Sequence, residues 1–449
     1  MEKDLTTGSV FQNIVSFSLP YLLAYFLQTL YGMADLFITG QFSGTADITA
    51  VSIGSQVMHM LTVMIVGLAM GATISIGRAV GAQERRRAAL SIGNSVTLFM
   101  ALSVALTALL LALVRPIVQA MSTPAEAMEG TMQYLTICFV GIPCITAYNI
   151  ISSIFRGPGD SKSPMYFVAV ACAANIGLDY LFIGGLDMGP AGAALGTTLS
   201  QALSVVVSLV FITRQKTGLP LQKDCFRPRR EVLGPILRVG VPVALQDGFV
   251  QMSFILITII ANNRGLNDAA AVGIVEKVIS FVFLVPSSML STVSALAAQN
   301  VGAGKDDRAA RTLRYACTLC LAFGLAVGIA VQFAAGGIVA LFDSTPAVVT
   351  AGSQYIRSYI WDCMFAGVHF SFCGYFCAYG RSGISFVHNA ISIVLVRIPG
   401  AYFMSRLFPD TLLPMGCAAA AGSLLSVLVC VGALVWLRRR GALKSAGAA

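Results

Sequence analysis

Apolar runs of about 20 residues or more follow one another along nearly the whole chain, separated by short polar connections. A run of about 20 apolar residues in helical form spans the hydrocarbon of a bilayer, so each run predicts a membrane-crossing helix. Twelve are laid down, at about 14–39, 48–76, 88–114, 132–155, 164–184, 189–213, 235–262, 269–297, 309–333, 347–379, 383–405 and 413–437. The longest polar connection, 214–234, divides them into two sets of six. The expected organisation is therefore an N-terminal six-helix bundle over 1–213, a cytoplasmic linker over 214–234, a C-terminal six-helix bundle over 235–440 and a mobile tail over 441–449.

The second set echoes the first at a nearly constant offset. Pro20 pairs with Pro242, Ala50-Val51 with Ala271-Val272, and Gly81-Ala82 with Gly302-Ala303. Arg87-Ala88-Ala89 recurs as Arg308-Ala309-Ala310, and Ser122-Thr-Pro-Ala125 as Ser344-Thr-Pro-Ala347. An even number of crossings per repeat makes both halves enter the membrane in the same sense, which predicts a pseudo-two-fold axis along the membrane normal and a cavity between two bundles. The fold class expected is an all-α integral membrane protein.

Composition agrees: 57% of residues are apolar and 11% charged, against about 25% charged in a soluble domain. The net charge of +9 changes the picture only through its placement. Most of the 29 Lys and Arg fall in one set of connections, including Arg85–Arg87, the stretch from Arg214 to Arg238, Lys305–Arg314 and Arg438–Lys444. Such a bias places those connections and both termini in the cytoplasm. It is a topology signal, so no nucleic-acid partner is expected. Met1–Val10 lacks the pattern of a cleaved signal peptide.

Acidic residues inside apolar runs carry the candidate chemistry. A carboxylate held in hydrocarbon costs about 2.5–3.5 kcal/mol even on the lenient insertion scale, so it faces protein or a wet cavity. Asp35, Asp179, Asp247, Glu276 and Asp362 lie inside the runs, with Asp343 at an end. Asn175 and Asp179, four residues apart, stack on one face of a helix. Asp35 and Asp179 have no basic residue within a turn, and none is expected inside the first six helices. Two such acids resist staying charged and empty; a proton or a sodium ion relieves the penalty, with Asn175 and the Thr197 hydroxyl as neutral oxygen ligands of the kind hard cations prefer.

In the second half Glu276 and Lys277 are adjacent and point apart, so Lys277 is expected to find Asp247 or Asp362. Arg397 poses the same question. Trp361, Phe365, Phe370, Phe372, Tyr375, Phe376 and Tyr379 crowd one helix and are read as packing or as the wall of a cavity for flat or cationic molecules. The expected substrate-cavity residues are Asp247, Gln251, Glu276, Lys277, Asp362, His369 and Phe370. The eleven cysteines and three histidines are read as lacking metal-ligand spacing, and Cys317-Thr-Leu-Cys320 as only formally redox-like. Pro20 removes a backbone donor, so the first helix is expected to bend or restart there, as a hinge.

Asp35 followed by Gly40, Gly81-Ala82 before a basic turn, Asn175-x-x-x-Asp179 and Gly192-Ala-Ala-Leu-Gly-Thr197, in two parallel six-helix halves, resemble the multidrug and toxic compound extrusion family over about 10–440. The similarity is to the bacterial branch with its cation site in the first half. It implies a non-enzymatic exporter of lipophilic, often cationic organic compounds driven by H+ or Na+, with no other cofactor. It also implies alternating access, a monomer, and the bacterial plasma membrane as its place. By position Asp35, Asn175, Asp179 and Thr197 match the family's first-half cation site, and would be its metal ligands if the ion is Na+. Another branch carries a glutamate where this chain has Gln251, which argues against a second-half cation site of that type. Two alternatives stand beside this reading. A lipid-linked precursor flippase needs cavity basic residues, for which Lys277, Arg357 and Arg397 are the candidates. An intramembrane aspartyl protease needs a Gly-x-Gly-Asp pattern that Gly177-Leu-Asp179 does not supply.

Overall fold

A computed structural model describes residues 4–214 and 222–443. The end of the expected tail, 444–449, and linker residues 215–221 lie outside the described residues.

The chain is helical throughout: α1 Val10–Phe42, α2 Thr45–Gly81, α3 Arg85–Ala120, α4 Ala125–Val140, α5 Ile142–Arg156, α6 Lys162–Asp179 and α7 Gly189–Arg214 precede the linker. After it come α8 Arg230–Asn262, α9 Leu266–Val282, α10 Leu284–Gly302, α11 Asp306–Ala340, α12 Pro346–Tyr359, α13 Trp361–Ala378, α14 Ser382–Ser392, α15 Ile398–Leu407 and α16 Leu413–Arg439. Among the described residues ten helical stretches are long and apolar enough to cross a bilayer, and the pair α4–α5 makes an eleventh. Its repeat counterpart, α12–α13, stands in the place of the twelfth but is not among these eleven; α13 is strongly apolar, and α12, with Gln354 and Arg357, is the polar part.

Several expected single helices are broken, each for a local reason. α4 and α5 meet at a 47° bend, where Gly141 is followed by Pro143, which has no amide hydrogen to give the Phe139 carbonyl; that carbonyl accepts from Thr107 Oγ1 at 3.1 Å instead. The expected helix over 269–297 is split at Phe283, just ahead of Pro286. Pro20 gives the opposite result: α1 continues through it as one helix and does not restart. α6 widens after Asp179 into a π-helical turn, Tyr180–Gly185, and α14 does so over Ile393–Arg397. Each wide turn adjoins a buried charged residue, Asp179 or Arg397, in keeping with the frequency of π turns at functional sites.

Contacts divide the chain into two units. Unit 1 contains Leu19–Leu237; unit 2 contains Arg238 onward together with Leu5–Ser18. The first bundle expected over 1–213 thus differs at its start, because the first turns of α1 belong to unit 2. The anchor is a set of polar clamps on main-chain atoms. Leu5 N–H donates to Gln299 Oε1 at 3.1 Å, Lys305 Nζ donates to the Thr6 carbonyl at 2.9 Å, and Arg308 donates to the carbonyls of Thr7 and Gly8 at 3.0 Å.

In unit 1 a buried cluster of Ile38, Val51, Met58, Tyr134, Phe139 and Ile183 holds α1, α2, α4 and α6–α7 together. Past the undescribed residues, the linker does not hang free. Cys225 is buried, and its carbonyl accepts from Asn94 Nδ2 at 3.0 Å while Asn94 Oδ1 accepts from Arg229 N–H at 2.7 Å. Gly93 permits this approach, since a β-carbon there would strike the Cys225 carbonyl. Asn94→Ala removes both bonds and strands buried main-chain groups at about 1–3 kcal/mol. Limited trypsin digestion is expected to cleave after Arg229 and Arg230 several-fold faster in this variant; an unchanged rate would contradict the docking. In unit 2, α13 lies at the centre, packed by α10, α11 and α16.

Candidate functional site

The apolar stretch of α6 carries Asn175 and Asp179 on one face, one turn apart, and α7 meets that face with its smallest residues. A β-carbon on Gly196 would overlap Asp179 Oδ1, and one on Gly192 would lie 3.1 Å from the Phe182 carbonyl carbon. The Gly192–Thr197 segment is therefore what allows α7 so near the acid. One residue past Gly196, Thr197 Oγ1 donates to Asp35 Oδ2 of α1 at 3.0 Å. On α1 itself, Thr39 Oγ1 donates to the main-chain carbonyl of Asp35 at 2.7 Å.

Asp35, Asn175, Asp179 and Thr197 thus converge, with Asp179, Thr197 and Asn175 as the polar neighbours of Asp35. Asp179 is 0% exposed, Asn175 1% and Asp35 3%. Yet Asp35 Oδ1, both Asp179 oxygens and both Asn175 amide atoms have no hydrogen-bond partner among the described residues. None of the ion pairs among the described residues reaches either acid. Buried polar atoms are nearly always satisfied, and an unpaired buried charge costs several kcal/mol. A pocket of carboxylate and amide oxygens in this condition suits a proton or a hard monovalent cation.

Two residues join the site that the sequence reading did not single out. Tyr31, one helical turn before Asp35, accepts at its hydroxyl from Gln201 Nε2 at 3.4 Å. Gln201 lies one turn after Thr197, and its Oε1 is another buried atom with no hydrogen-bond partner among the described residues. The spacing from Asp35 and Thr197 was the available signal. Arg156, expected in a polar turn, is instead buried at the end of α5 with its guanidinium 4.0 Å from the Tyr21 ring centre. It is a buried base in unit 1, but it stands on Tyr21 and not on either acid.

The second-half charges resolve differently from expectation. Lys277 is exposed and takes neither Asp247 nor Asp362. Arg397 pairs with Asp362 at 3.5 Å and donates to the Tyr359 hydroxyl at 2.7 Å, with its guanidinium 5.1 Å from the Phe254 ring centre. Glu276 lies within electrostatic reach of Arg397, and its Oε2 accepts from Thr258 Oγ1 at 3.0 Å. Asp247 and Gln251 sit half-buried on α8, and Phe370 stands edge-on to Phe283. Of the bases a flippase would need, Arg397 is occupied and Lys277 and Arg357 are exposed. Asp343 caps a turn, accepting from Thr345 N–H at 2.7 Å.

The histidines and cysteines require a correction. His369 and Cys373, one turn apart on α13, meet His388 of α14, and the three ligand atoms lie within 4.8 Å of one another. Metal-ligand spacing exists here; it was hidden because the third residue comes from the next helix.

The family model MatE matches residues 20–181 and 242–403, one segment in each half. The probable multidrug resistance protein YpnP of Bacillus subtilis is 28% identical over 396 residues, covering 88% of each chain. The probable multidrug resistance protein NorM of Thermotoga maritima is 26% identical over 406 residues, covering 88% of this chain and 86% of that one. Among solved structures, an outward-facing multidrug resistance MATE family transporter of the MOP superfamily superposes with a TM-score of 0.90 at 22% identity over 98% of both chains. A MATE transporter in a bent conformation gives 0.88 at 23% identity over 98% of this chain and 97% of that one.

Proposed function

The chain belongs to the MatE family of multidrug efflux transporters, and from that premise we propose that it is a secondary antiporter exporting lipophilic, often cationic organic compounds in exchange for H+ or Na+. The coupling ion is bound by Asp35, Asn175, Asp179 and Thr197 in the N-terminal bundle, and the protein works by alternating access as a monomer in the plasma membrane with both termini in the cytoplasm. What supports this reading is the set of buried oxygens that, among the described residues, have no cation paired with them. An ion arriving from outside neutralises Asp35 and Asp179 and favours one arrangement of α1 around Pro20; its departure to the inside favours the other, which rebinds substrate. The energy is sufficient: a charge moved through 100 mV yields about 2.3 kcal/mol, and one pH unit about 1.4 kcal/mol.

The test is uptake of a fluorescent organic cation into everted vesicles, with Na+ and pH gradients imposed separately. Accumulation is expected under at least one gradient and is expected to stop when both are dissipated. Uptake independent of both would overturn the antiport assignment. Gly196→Ala supplies a second check, because its β-carbon displaces the Asp179 carboxylate. Gradient-driven uptake is expected to fall at least about tenfold, the cost of roughly 1.4 kcal/mol in the coupled step, with the protein still present in the membrane. Uptake at the wild-type rate would show that the close approach does not matter.

A further inference from the structure

We propose that unit 2 contains a buried binding site for a soft monovalent transition-metal cation, Cu(I), formed by His369, Cys373 and His388. The three side chains are buried, and Cys373 Sγ already lies 3.1 Å from His388 Nε2. The imidazoles of His369 and His388 are 5.5 Å apart between ring centres. A metal held at about 2.0–2.3 Å from nitrogen and sulfur needs donor atoms roughly 3.5 Å apart. With all three within 4.8 Å, side-chain rotation of about 1 Å closes the site.

Two observations point to a ligand beyond the cluster itself. His369 Nδ1 and His388 Nδ1 are buried and have no hydrogen-bond partner among the described residues. The thiol is also held in place by groups on other helices: Cys373 Sγ lies 3.8 Å from Gln246 Oε1 of α8 and 3.9 Å from Asn389 Nδ2 of α14. Ligand-orienting contacts of this kind accompany built metal sites.

Ligand type and charge select the metal. Thiolate with imidazole suits copper and zinc, and the softer thiolate favours Cu(I). With the thiol protonated and both imidazoles neutral, the metal-free cluster carries no net charge. When Cu(I) binds, a Cu–S bond replaces the S–H bond and the proton leaves to solvent. One positive charge enters as one departs, so the buried site stays neutral. A divalent ion would leave an uncompensated charge in an apolar interior, which is costly.

The experiment uses the purified full-length protein in detergent, under anaerobic reducing conditions, titrated with Cu(I) against a chromogenic Cu(I) chelator. The wild type is expected to retain copper stoichiometrically. Cys373→Ser and His388→Gln are expected to lose more than tenfold in affinity, while Cys417→Ser, at an exposed cysteine, leaves retention unchanged. X-ray absorption on the loaded wild type, which needs no variant to fold, is expected to report a mixed sulfur and nitrogen shell. A sulfur-only shell, retention unaffected by Cys373→Ser, or preference for Zn(II) over Cu(I) would each overturn the proposal. The readout requires neither an ion gradient nor a transported drug, so its failure leaves the antiport reading untouched.

Discussion

Asp179→Asn is expected to lose active efflux by tenfold or more while the protein stays folded. The amide occupies the same volume, so packing against Gly196 is kept. It can neither release a proton nor carry a charge, and so it imitates permanently the neutralised form of the site. An exporter held in that form completes one half of its cycle and stops. Stability is expected to hold or rise, because among the described residues the carboxylate has no ion pair to lose and its charged neighbour is another acid, Asp35, whose repulsion the amide removes. Fluorescent-substrate efflux in whole cells, read beside thermal melting of the purified variant, separates the two effects. Wild-type efflux by Asp179→Asn would remove the coupling role assigned here.

Arg397→Met is expected to be the most damaging change in unit 2, and for the opposite reason. Arg397 is the cation for Asp362 and lies within electrostatic reach of Glu276, and its removal leaves Asp362 fully buried without its base and half-buried Glu276 without that attraction. Breaking a buried pair from one side costs about 3–5 kcal/mol. The variant is expected to melt well below the wild type in detergent. Adding Asp362→Asn is expected to recover part of the loss, because the stranded charge is then gone. A double variant no more stable than the single one would show that Arg397 acts through packing on Tyr359 and Phe254 and not through its charge.

These two changes also mark what a one-dimensional reading could see. Asp35 and Asp179 were legible because a carboxylic acid in an apolar run carries a large penalty wherever it goes, and four-residue spacing puts Asn175 beside Asp179 on any helix. Thr197 was offered as a neutral hydroxyl ligand and then matched by the resemblance, and the structure gives it a contact with Asp35. The repeat predicted matching elements, and α4–α5 and α12–α13 both break near their midpoints. Partner choice in the second half was not legible. Lys277 is next to Glu276 in sequence, but adjacent helical residues diverge, and Arg397 reaches Asp362 from another helix. The outcome at Pro20 was hidden for a different reason: a proline forfeits one hydrogen bond, and the sequence does not say whether neighbouring packing holds the helix through that loss. His369 and Cys373 were one turn apart in plain view, but His388 needed the fold of α14 to complete the group.

The grip of unit 2 on Leu5–Gly8 has a practical outcome for anyone dividing this gene product. Two fragments expressed from a cut in the 214–234 stretch would not be self-sufficient: the later one would lack the peptide that Gln299, Lys305 and Arg308 grasp. The earlier fragment would carry that peptide as a plug for its companion, so co-expression is expected to succeed where separate production fails.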